Sequence, residues 1–127
     1  MRTGRHPRGR VRRAKQIPGF ARSSQAAVAR LEAEALWPGA VFDAFAVVVE
    51  FLKQPGRLLY VSWADCPCCD VVSARDTLQA ALTGVPPRAR ADLRVIVEEL
   101  DTRFLRRTLP DPLSPAGPWW HRRLRER

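Results

Sequence analysis

Apolar residues recur at helical spacing along most of this chain. Between residues 23 and 37, Val28, Leu31 and Ala35 fall on one face of a helix. Ser23 or Ser24 is placed to cap its start, and Pro38-Gly39 ends it. A second helix is expected over 40–54. Its apolar positions cover nearly the whole circumference, leaving Asp43, Ala46, Glu50 and Lys53 as a narrow polar stripe. A helix of that kind sits in the middle of a domain or faces a partner. The run Val47-Val48-Val49 also permits a strand.

After the turn signal Pro55-Gly56, residues 57–63 read as a strand or a short helix. Leu59, Val61 and Trp63 alternate with Leu58, Tyr60 and Ser62, which favours the strand. A lone strand has nothing to pair with, so this element depends on its surroundings. Residues 65–70, Asp-Cys-Pro-Cys-Cys-Asp, form a loop. Asp70 or Ser73 opens a third helix to about residue 82, with Val71, Ala74, Leu78 and Leu82 on its buried face. Gly84 and Pro86-Pro87 close it. A fourth helix starts at Pro87, where proline suits the first turn, and runs to about 109. Leu93, Ile96, Leu100 and Phe104 mark its inner face, and Glu99 is spaced to pair with Arg103. Arg103, Arg106 and Arg107 bring to its last turn the charge that a helix C-terminus favours.

Residues 110–118 are extended and proline-rich. Trp119-Trp120 reads as a clamp that docks this tail on the body, and 121–127 is a short basic end. The expected fold is therefore mainly α: a small four-helix assembly over 23–109. A disordered basic arm, 1–22, precedes it and an extended Pro/Trp tail, 110–127, follows.

Composition changes the weight of the arginines. The chain has 20 Arg against 2 Lys, with 17 Ala, 11 Pro, 2 Ile and no Asn. That bias follows GC-rich codons, so arginine content alone is no argument for binding. Its distribution is one. Of the net +9, residues 1–22 supply seven Arg and Lys15 with no acid, and 119–127 supply four Arg against one Glu. Residues 23–118 hold ten basic and twelve acidic side chains. A polyanion partner would meet the ends. Arg5, Arg8, Arg10, Arg12, Arg13 and Lys15 are the candidate phosphate contacts to DNA or RNA. With no group set to read base edges, such contacts imply binding without sequence choice.

No stretch is long and apolar enough to span a bilayer, and no secretory or transit pattern is visible, so a cytoplasmic protein with no membrane partner is expected. Candidate chemistry gathers at Cys66, Cys68 and Cys69. Three thiolates with His121, Asp65 or Asp70 as a fourth ligand would suit tetrahedral zinc, although a second ligand pair is missing. Cysteine packed as a small hydrophobe is the plainer alternative. The segment Leu59-Tyr60-Val61-Ser62-Trp63-Ala64-Asp65-Cys66-Pro67-Cys68-Cys69 resembles the active-site stretch of thioredoxins. That resemblance implies Cys66 as attacking thiolate and Cys69 as resolving thiol. Asp65 departs from the family pattern and would raise the Cys66 pKa. Residues 100–112 and Pro118-Trp119-Trp120 resemble small actinobacterial proteins, some carried on mobile elements, which implies an origin and no activity.

No catalytic set emerges. His6 lies in the arm and His121 in the tail, and phosphate-loop, dinucleotide and metalloprotease motifs are missing. The sequence thus points to a non-enzymatic helical adaptor that contacts nucleic acid or a nucleoprotein, with no cofactor, or zinc on the cysteines. The alternatives are a thiol-redox or zinc protein centred on the cysteines, or a protein-interaction or self-association module using helix 40–54.

Overall fold

The computed structural model of the protein describes residues 16–57, 59, 70–114 and 116–124. Its described part is a mainly α, four-helix assembly: α1 (Arg22–Ala35), α2 (Ala40–Leu52), α3 (Val71–Gly84) and α4 (Pro87–Arg107). A 3-10 turn, Trp119–His121, follows in the tail.

α1 is not capped by a serine side chain. Its N-cap is Ala21, with no side-chain hydrogen bond. Ser24 is buried within the first turn, and its hydroxyl donates to Asp92 on α4. The hydroxyl therefore ties two helices together where the sequence suggested a local cap. α1 and α2 meet at 104°. Gly39 makes the corner with φ 81, in the left-handed region that glycine enters without a Cβ penalty. The Glu32 carboxylate is buried at this corner. It accepts from the amides of Gly39 (3.0 Å) and Val41 (2.8 Å), and so satisfies donors at the start of α2 that no helix carbonyl can reach.

α2 is a helix throughout, and it packs on the three other helices. Ala40, Val41, Ala44, Val48 and Phe51 are buried, and its most extensive packing is against α3. Phe42, Phe45, Val47, Val49 and Leu52 are half-buried against the same core, while Ala46, Glu50 and Lys53 face water.

α3 starts as its sequence suggests. Asp70 accepts from the Ser73 amide (3.1 Å) and hydroxyl (3.0 Å). Val71, Ala74, Leu78 and Leu82 are buried. Pro87 opens α4, whose 21 residues extend about 31 Å at 1.5 Å per residue. Leu93, Val97, Leu100 and Phe104 line its inner face, with Ile96 half-buried beside them. Glu99 does not reach Arg103: among the described residues neither joins an ion pair. An exposed pair of this kind gains little against the rotamer entropy of two long side chains.

The core takes in residues before 23. Ile17 is 3% exposed within the core, its amide donates to the Gln25 side chain (3.3 Å), and Phe20 packs on the same cluster. Residues 16–22, expected to be disordered, therefore pack on the body, because Ile17 and Phe20 offer apolar surface that the neighbouring charges do not. Residues 1–15 lie outside the described residues.

The tail folds back on the body. Pro110 and Arg123 form an antiparallel bridge, the Asp111 amide donates to Arg122 (2.9 Å), and the Leu124 amide donates to Leu109 (2.7 Å). Leu59, 1% exposed, donates its amide to the Leu124 carbonyl at 2.9 Å. It is one of the two described positions in the expected 57–63 element, with Arg57; 58 and 60–63 lie outside the described residues. Among the described residues no strand forms beyond this bridged corner.

Candidate polyanion-binding surface

The six cations proposed for phosphate contact, Arg5, Arg8, Arg10, Arg12, Arg13 and Lys15, lie outside the described residues. The body shows how it uses its own arginines. Several are bolts on backbone carbonyls at helix ends, where unpaired acceptors and the negative end of the dipole gather. Arg90 donates to Leu82 (2.8 Å) and Val85 (3.0 Å) at the end of α3. Arg107 donates to Gln54 (2.7 Å) and Pro55 (2.9 Å) just beyond α2, with its guanidinium 4.1 Å from the Phe51 ring centre. Arg123 donates to the Thr108 hydroxyl (2.8 Å) and carbonyl (2.8 Å) at the end of α4. Partial burial lowers the Arg123 pKa from its ordinary value. Arg75 is buried and committed to Asp101.

A groove at the C-terminal end of α4 differs. It is a shallow, open depression of about 320 Å³, lined among the described residues by Leu52, Gly56, Arg57, Arg103, Arg106 and Arg107. Gly56, at φ 100, turns the chain after α2 so that Arg57 crosses to α4. There Arg57 donates to the Arg106 carbonyl (3.2 Å). Spacings of three and four residues put Arg103, Arg106 and Arg107 on one side of α4. Arg103 and Arg106 are exposed and make no ion pair or side-chain hydrogen bond among the described residues. The sequence displayed the three α4 arginines as dipole partners. It did not show that Arg57, some fifty positions away, closes the same groove.

The tail aromatics are a clamp. Trp120 is 7% exposed, its indole N–H donates to Asp76 Oδ1 (2.8 Å), and the Arg75 guanidinium lies 4.0 Å from its ring centre. Trp119 meets Phe104 edge-on at 5.5 Å. His121, the candidate fourth zinc ligand, places Nε2 2.7 Å from the same Asp76 oxygen. Cys66, Cys68, Cys69 and Asp65 lie outside the described residues. Among the described residues, no group of three or more His, Cys, Asp and Glu is placed to hold a metal ion. No single described helix is long and apolar enough to cross a membrane.

No protein-family model matches the chain, and no curated protein or solved structure shows significant similarity to it.

Proposed function

We propose that this is a non-enzymatic nucleic-acid or nucleoprotein accessory protein, in which Arg5, Arg8, Arg10, Arg12, Arg13 and Lys15 contact phosphates. One observation carries the reading. The body commits Arg75, Arg90, Arg107 and Arg123 to its own carbonyls and carboxylates, whereas the sequence before Ile17 carries these six cations with no accompanying acid. Charge of that kind attracts a polyanion, and the counterions released from its phosphates supply affinity without base readout.

The test compares the full chain with a variant in which those six residues become Gln. Binding to labelled polyuridylate and to duplex DNA is read by fluorescence anisotropy at low salt. The variant should keep its helical circular dichroism and bind at least about tenfold more weakly to both. Equal affinity of the two proteins would remove the reading.

A further inference from the structure

We draw no further inference here: the strongest candidate, the polar depression of about 500 Å³ between α3 and α4 to which Arg75, Gln79, Arg90, Arg94, Glu98 and Asp101 contribute, carries nothing, because Arg75 and Arg90 already serve Asp101, Gln79 and the carbonyls at the end of α3, and nothing in the structure shows what covers it.

Discussion

Arg75 and Asp101 join α3 to α4 through two parallel hydrogen bonds, Nε to Oδ1 at 2.8 Å and Nη2 to Oδ2 at 2.9 Å. The Arg75 side chain is 5% exposed and that of Asp101 18%. The face of the same guanidinium carries Trp120, so one buried cation holds two helices and the tail. Arg75→Met should destabilise the fold by about 3 kcal/mol. That is the low end for breaking a buried pair, because Asp101 keeps some contact with water. Arg75→Met/Asp101→Leu should cost less than the two single changes added together. Urea unfolding of the four proteins measures it, and additive costs would deny the coupling.

Glu32 governs the corner between α1 and α2. Glu32→Ala leaves the amides of Gly39 and Val41 without acceptors at a buried site and should cost about 2 kcal/mol. Glu32→Gln keeps one acceptor oxygen and should cost less. Asp70→Ala, which removes an ordinary cap from α3, should cost about 1 kcal/mol. The order of the three denaturation midpoints is the check.

Trp120 is the anchor of residues 109–124. Trp120→Ala should destabilise by about 3 kcal/mol and expose residues 110–118 to limited proteolysis. His121→Ala removes an exposed contact to Asp76 and should cost less than about 1 kcal/mol with no new cleavage. Cleavage that is the same in both variants would mean that Trp120 does not pin the tail.

The helices were readable because their signals are local. The spacing of Val71, Ala74, Leu78 and Leu82, the Asp70 cap, Pro87 at a helix start and the Pro38-Gly39 stop each lie within a turn or two of what they control. Contacts between distant positions were not readable. Glu32 caps a helix beyond a corner, Ser24 bonds Asp92 across 68 positions, and Arg57 reaches Arg106 across 49. Ile17 and Phe20 were not legible as core positions, because two apolar residues among charges have no periodic neighbour to announce them. The Trp119-Trp120 clamp was legible as such, since an extended segment needs a docking point. Its receptor, Asp76 and Arg75 on α3, was not.

Whether the cations of this protein serve a polyanion is most directly read from the salt dependence of binding by the unaltered full chain. Polyuridylate anisotropy is recorded between about 50 and 200 mM salt. Six phosphate contacts give a log–log slope between about −4 and −5. A slope near zero, or no binding at the lowest salt, would contradict the account.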